Sequence, residues 1–411
     1  MKKKKIKIYY GKAIYGKEEI AAVNNVLKNK SLDLMDGPSV KDLEKKISKI
    51  FGKKYGLMVN SGSSANLLSL AALNFKKGSE IITPSLTFST TVSPIYQLGL
   101  VPHFVGVEEN MFLANIDHIE SCINKKTAAI LIPNLLGNIP NWKRISKIAR
   151  KYKLKVIEDS ADTIGYIYNN SNTGKYSDIT TNSFYASHII TGSGFGGIAC
   201  FNDKKSYERA KLLRGWGRSS ALYNESEDVK NRFKSKIDGI PYDSKYIFSE
   251  IGYNFLPSEI SAAFALEQVK KLKNNIKKRI SNFKYLRNFF SQYSNFFKLP
   301  EQIKNVKTGW LAYPIVIKQK SKINRRELQI YLEKNGIQTR TIFTGNILRQ
   351  PIMKNRYFKK HKYSNNVSDD VMKNGILIGC HHGLRAKELK YISSVFNQYL
   401  SKKIVSKIYN W

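Results

Sequence analysis

Short apolar runs alternating with helical stretches predict an α/β protein, a mostly parallel sheet covered by helices with a smaller C-terminal α/β domain behind it. Three observations carry that expectation. Strand-length runs recur at Tyr55 to Asn60, Glu80 to Thr83, Val101 to Val105, Ala128 to Pro133, Leu154 to Ile157 and Gly197 to Phe201. Most of the stretches between them have helical spacing. A second, shorter alternation begins at Trp310, and a chain of 411 residues is long enough for two cores.

In chain order, Gly16 to Leu27 and Ser39 to Ile50 have the apolar spacing of helices, with Ser39 placed to cap the second. After the strand at Tyr55, Ser61-Gly62-Ser63-Ser64-Ala65-Asn66 opens a helix that runs through Leu73. Ser183 ends another short apolar strand, which passes into the glycine-rich turn Gly192 to Gly197. Between Arg214 and Tyr253 periodicity gives way to a polar stretch. Glu259 to Lys277 is helical again, continuing to about Phe290. Trp310 to Ile317 then reads as strand, Asn324 to Glu333 as helix, Thr339 to Ile342 as strand and Ala386 to Gln398 as the last helix. The division falls near residue 285, giving a large domain of 1–285 and a small one of 286–411.

The formal charge of +38 raises the question of nucleic acid, but the lysines are spread along the chain. Lys270-Lys271-Leu272-Lys273, for instance, continues a helix, and neither a zinc module nor a basic arm interleaved with aromatics accompanies it. No specific nucleic-acid role is expected; the field favours a substrate carrying a diphosphate. The basic start Met1-Lys2-Lys3-Lys4-Lys5-Ile6 leads into no apolar segment long enough for export or membrane insertion, so a cytoplasmic protein is expected. The three cysteines, Cys122, Cys200 and Cys380, lie far apart and support neither a disulfide scaffold nor a cysteine cluster. No histidine pair has metal-ligand spacing, and no metal is expected; His381 and His382 could touch substrate.

Ligands of parallel sheets bind beyond the strand C-termini, where several residues with chemical potential fall. The Ser61 to Ser64 stretch can receive a phosphate at the positive end of its helix, although a turn with an N-cap has the same appearance. Asp159, after Val156-Ile157-Glu158, could keep a heteroaromatic nitrogen protonated, as an electron-sink cofactor requires, or could simply cap the next turn. Phe88 could stack on a planar ring or pack in the core. His188 follows Ser183-Phe184-Tyr185-Ala186-Ser187, where Ser183 could meet phosphate and the glycines allow close backbone approach.

These stretches, with Pro84-Ser85-Leu86-Thr87-Phe88, Gly252-Tyr253-Asn254-Phe255 and Gly336-Ile337-Gln338-Thr339-Arg340, resemble the DegT/DnrJ/EryC1/StrS sugar aminotransferase family over nearly the whole chain. The resemblance implies the aspartate-aminotransferase fold (PLP fold type I) with pyridoxal 5'-phosphate (PLP) or pyridoxamine 5'-phosphate (PMP) as cofactor. Asp159 would then pair with the pyridine nitrogen, Phe88 would stack on the ring, and Gly62, Ser63 and Ser183 would hold the phosphate. Asp162 stands where many relatives have glutamine near the cofactor hydroxyl. Asn254 would reach the phosphate of the neighbouring subunit, implying a homodimer with shared sites.

His188 falls where the aminotransferases have the lysine that forms their Schiff base; imidazole can move protons but cannot make that stable imine. This is similar to the branch that dehydrates nucleotide-linked 4-keto-6-deoxy sugars at C3, in the supply of 3,6-dideoxyhexoses to O-antigen and lipopolysaccharide. Arg214-Gly215-Trp216-Gly217-Arg218, the polar insertion and Asn346-Ile347-Leu348-Arg349-Gln350-Pro351 are most like the 3-dehydrases acting on the CDP-linked sugar. Those carry a [2Fe-2S] cluster on cysteines, whereas here Ala161 and a cysteine-free stretch from Ser219 to Phe233 stand in those places. No iron-sulfur cluster is therefore expected, and the chain is similar to the iron-free branch acting on the GDP-linked sugar. The implied reaction uses His188 as proton carrier and L-glutamate as cosubstrate, with Arg214, Arg218 and Arg349 as candidates for the nucleotide diphosphate. A 3-dehydrase fed by a separate reductase, a nucleotide-sugar aminotransferase and a non-catalytic cofactor-binding scaffold are the alternatives.

Overall fold

The computed structural model describes residues 7–30, 33–223 and 229–408; the basic start Met1–Ile6 and part of the polar insertion lie outside them. Its main feature is an eight-stranded sheet in the order Tyr55–Val59, Gly197–Phe201, Ile179–Ser183, Lys155–Asp159, Thr127–Pro133, Glu80–Pro84, Val101–Val105, Lys359–Lys360. Gly197–Phe201 runs antiparallel to both neighbours, and the remaining pairings are parallel. Strands covered on both faces are expected to be apolar, as Gly197–Phe201 is, buried at all five positions.

The strand that leads to His188 departs from that rule. Ile179–Ser183 is polar rather than apolar, yet every residue in it is buried. Its β-branched threonines suit a strand, and several of its polar groups are satisfied sideways: Thr181 Oγ1 donates to Asn66 Oδ1 at 2.6 Å, and Asn182 Nδ2 donates to the Thr163 carbonyl at 3.0 Å.

Two element ends differ from expectation for clear reasons. Ser39 does not cap its helix, which starts one residue earlier as Pro38–Ile50 with Gly37 at the N-cap and proline in the first turn. The cap comes instead from a distant carboxylate: the Ser39 and Val40 N–H groups donate to Glu259 at 2.6 and 3.1 Å. Lys155–Asp159 runs on to include Asp159, because the next parallel strand pairs along its full end.

Glu259–Ser291 is a single helix of 33 residues. Its first half buries Ala262, Ala265 and Leu272 under the large sheet, and its second half sends Phe283, Leu286, Phe289 and Phe290 into another cluster with Phe297, Tyr313 and Phe396. There a second sheet, in the order Phe297–Lys298, Ala312–Ile317, Gly375–Gly379, Thr339–Arg340, is antiparallel throughout. Arg325–Lys334, Asn366–Asn374 and Ala386–Ile408 are the helices of this part, the last longer than its apolar spacing indicates. Among the described residues no helix is long and apolar enough to cross a membrane.

Candidate active site

At the C-terminal ends of the parallel strands lies a cavity of about 510 Å³, and Gly62, Ser63, Phe88, Asp159, Asp162, Ser183 and His188 all line it. One side is the start of helix Gly62–Leu73. Ser61 Oγ accepts the Ser64 N–H at 3.0 Å and the Ser61 carbonyl accepts that of Ala65; the Gly62 N–H faces Gly196 across the Ser61–Gly196 bridge, and the Ser63 N–H has no acceptor among the described residues. Free N–H groups at a helix start attract an anion. Glycine is required at 62 because a Cβ there would lie 2.5 Å from the Ser183 Cβ.

Asp159 is buried and accepts three hydrogen bonds, from Asn66 Nδ2 at 2.8 Å, Thr91 Oγ1 at 3.0 Å and the Ala161 N–H at 3.1 Å. Thr181 donates to the Asn66 carbonyl oxygen, so the amide must turn its NH₂ toward Asp159. Burial raises the Asp159 pKa and these donors lower it, with the net shift upward. Neither Asn66 nor Thr91 was marked by the sequence reasoning. Asn66 carried a signal, a lone amide in the otherwise small and apolar Ala65 to Leu73 stretch; Thr91 carried none. Asp162 accepts the Leu136 N–H at 2.8 Å, and burial pushes it up to about 8, so besides lining the cavity it holds the turn at Leu136.

Phe88 is half exposed, its ring meeting Phe343 edge-on at 6.1 Å, rather than packed into the core. His188 lies on the loop after Ile179–Ser183, with Tyr185 edge-on at 6.0 Å. Its Nδ1 is buried without a hydrogen-bond partner among the described residues. Burial pulls its pKa down to about 4, the Ser183 and Ala161 backbone opposing and the Arg279 charge reinforcing that shift. The ring is therefore neutral at pH 7.

A second cavity of about 840 Å³ adjoins the first and shares Phe88, Tyr185, His188 and Phe343 with it. Its lining includes Lys12 and Arg340 and no acid, a sign bias suited to an anionic substrate. Neither residue was picked out for a role from sequence.

The arginines expected at the diphosphate do not reach either cavity. Arg214 is buried and donates to Asp36 at 2.7 Å, Glu44 at 3.2 Å and the Met58 carbonyl at 2.8 Å, so its guanidinium is engaged within the chain. Arg349 has its Nε and Nη2 edge held by Asp369 at 3.1 and 2.7 Å. Arg218 stands apart from the cavities with its guanidinium over Trp216 at 4.2 Å and near Tyr246 and Phe248. His381 and His382 also line neither cavity: His381 contacts the Tyr9 carbonyl, and His382 accepts from Arg279. Asn254 is exposed and outside both cavities of its own chain.

The DegT/DnrJ/EryC1/StrS aminotransferase family model matches residues 13–397. The lipopolysaccharide biosynthesis protein RfbH of Salmonella typhimurium is 36% identical over 370 residues, which cover 87% of this chain and 84% of that protein. The E. coli GDP-4-keto-6-deoxy-D-mannose-3-dehydratase with bound hydrated PLP has a TM-score of 0.84 at 31% identity, covering 95% of this chain and 100% of that one. A GDP-4-keto-6-deoxymannose-3-dehydratase with a trapped PLP-glutamate geminal diamine also has a TM-score of 0.84, at 30% identity over 94% of this chain and 99% of that one. The chain is thus an enzyme that belongs to the DegT/DnrJ/EryC1/StrS aminotransferase family and is closely related to its PLP/PMP-dependent nucleotide-sugar 3-dehydratases.

Proposed function

We propose that the chain removes the C3 hydroxyl of a nucleotide-linked 4-keto-6-deoxyhexose with PMP as cofactor, L-glutamate restoring the amine form. The observation that carries this reading is His188, at the junction of the two cavities, with no lysine among the residues lining the inner one. A site without lysine cannot hold the aldehyde form as an internal Schiff base, and a neutral imidazole suits proton transfer.

The residues present fit the cofactor. A buried carboxylate lacking a cation, the free Ser63 N–H at a helix start beside a glycine that admits no Cβ, and a half-exposed aromatic ring together match a protonated pyridine phosphate. When bound, PMP supplies an amine for the sugar ketone and a protonated ring that withdraws electrons. Asp159 holds the proton at the pyridine nitrogen. Gly62, Ser63 and Ser183 seat the phosphate, Phe88 covers the ring, and Asp162 lies at the edge of the same pocket. His188 accepts a proton on its ring and delivers one to the departing C3 oxygen. In the net reaction the sugar exchanges its C3 hydroxyl for hydrogen, while glutamate becomes its 2-oxo acid and releases ammonia. The oxygen lost by the sugar is balanced by the keto oxygen gained by the acid.

The second cavity, with Lys12 and Arg340, suits the nucleotide sugar and glutamate in turn. The exposed Asn254 is assigned to the phosphate of a second subunit, making the working unit a homodimer with shared sites. A glutamate-dependent assay with several nucleotide-linked 4-keto-6-deoxy sugars tests the reading: loss of the C3 hydroxyl with ammonia release is expected. A net 4-amino sugar would instead mean transamination, and a strict need for an added reductase would mean an electron-coupled route.

A further inference from the structure

Arg279, in the middle of helix Glu259–Ser291, has none of its surface exposed and no carboxylate against it among the described residues. A buried charge without a counter-ion is costly unless its hydrogen bonds are made, and this one is held by neutral acceptors. Nη1 donates to the Trp310 carbonyl at 3.0 Å and the Leu311 carbonyl at 3.1 Å. Nε donates to His382 Nδ1 at 3.3 Å, and Nη2 donates to the His188 carbonyl at 3.4 Å. One planar fork thus ties three segments together: the entry to strand Ala312–Ile317, the loop after Gly375–Gly379 and the loop that carries His188.

We infer that Arg279 is a positioning residue for the reaction, fixing the His188 loop against the C-terminal part of the chain so that the imidazole stays at the junction of the two cavities. The inference rests on the proton-carrying role given to His188 above. Neutral acceptors orient the guanidinium without cancelling its charge, whereas a carboxylate would have done both. That charge adds to burial in keeping His188, His381 and His382 unprotonated, while Tyr10 and Cys380 are the other titratable groups beside it. Because His382 Nδ1 accepts from Arg279, its proton resides on Nε2, which is buried without a partner among the described residues.

The test uses Arg279→Lys, which keeps the charge and loses the fork, Arg279→Met, which loses both, and His382→Phe, which removes one acceptor and leaves the arginine. Turnover is read with the nucleotide sugar, and the His188 ring is titrated by nitrogen NMR in the cofactor-free protein. A displacement of about 1 Å should lower kcat about 100-fold in Arg279→Lys, with KM and cofactor affinity nearly unchanged. The His188 pKa should stay low in Arg279→Lys and rise in Arg279→Met. If the Arg279 variants do not fold, His382→Phe is read in their place, with a loss in kcat of about 10-fold expected from a smaller displacement. Wild-type kcat in a folded Arg279→Lys or His382→Phe overturns the inference, as does a loss matched by an equal loss of cofactor affinity. Failure of all three to fold would assign Arg279 to stability alone and overturn it too. His188→Asn separates the two levels: turnover surviving in it removes the proton-carrying role itself, whereas a dead His188→Asn beside a fully active Arg279→Lys removes only the positioning role.

Discussion

At Asp159 the demands of stability and of the proposed chemistry fall on the same carboxyl. Burial raises its pKa, so in the cofactor-free protein its ionisation weakens the fold, while a pyridinium partner would reverse the balance. Asp159→Asn should therefore weaken cofactor binding roughly 10- to 100-fold, the worth of a charged hydrogen bond. The cofactor-free variant should melt at or above the wild-type temperature at neutral pH. Absorbance titration and thermal melting check the two halves, and an unchanged affinity would remove Asp159 from the cofactor site. Residue type was legible here because an acid at the end of an apolar strand is unusual. Its partners were not, since Asn66 and Thr91 reach it from helices whose positions the strand does not dictate. The arginines were ambiguous for a related reason: guanidinium chemistry suits a diphosphate and an internal carboxylate equally, and Arg214 and Arg349 meet Asp36, Glu44 and Asp369 only in the assembled fold.

Among elements, the strand ends and helix starts carry the site, and their meeting depends on absent side chains. Helix Gly62–Leu73 can lie against strand Ile179–Ser183 only because residue 62 has no Cβ. Gly62→Ala should push the helix start away from Ser183, lower stability by about 1–3 kcal/mol through overpacking and weaken cofactor binding by about 10-fold through the displaced N–H groups. A cofactor titration of the folded variant decides this; full affinity would show that the phosphate sits elsewhere. Most elements were readable from periodicity, including the two strands Val101–Val105 and Gly197–Phe201 at their full extent. Periodicity did not reveal that the polar Ile179–Ser183 is buried, because the partners of Thr181 and of the Asn182 amide, Asn66 and Thr163, come from elsewhere in the chain. Nor did it assign the cap of Pro38–Ile50 to Glu259, more than two hundred positions away.

For the molecule as a whole, the buried acids and histidines set opposite pH limbs. His188 and His381, held near pKa 4, and His382, held near 3, stabilise the fold above the ordinary histidine range of about 6.5 and lose that contribution as pH falls through their folded values. Asp162, raised to about 8, does the reverse: its contribution is full below the ordinary carboxylate range and is lost as pH rises through about 8. Cofactor-free wild type should therefore lose stability relative to Asp162→Asn between pH values of about 4 and 8 and no further above that. Urea midpoints of the two proteins across that span test this, and a constant difference would sink it. The sequence alone determined the α/β alternation and the chemical types waiting at the strand ends, because periodicity and residue type are local properties of the chain. Only the tertiary structure decided which arginines are committed to structure, that Arg279 grips the His188 loop, and that a second cavity forms beside the first. Those outcomes depend on pairings such as the Tyr10 N–H with Gln338, 328 positions apart, and packing and hydrogen bonding over such separations follow from the assembled core rather than from any local pattern.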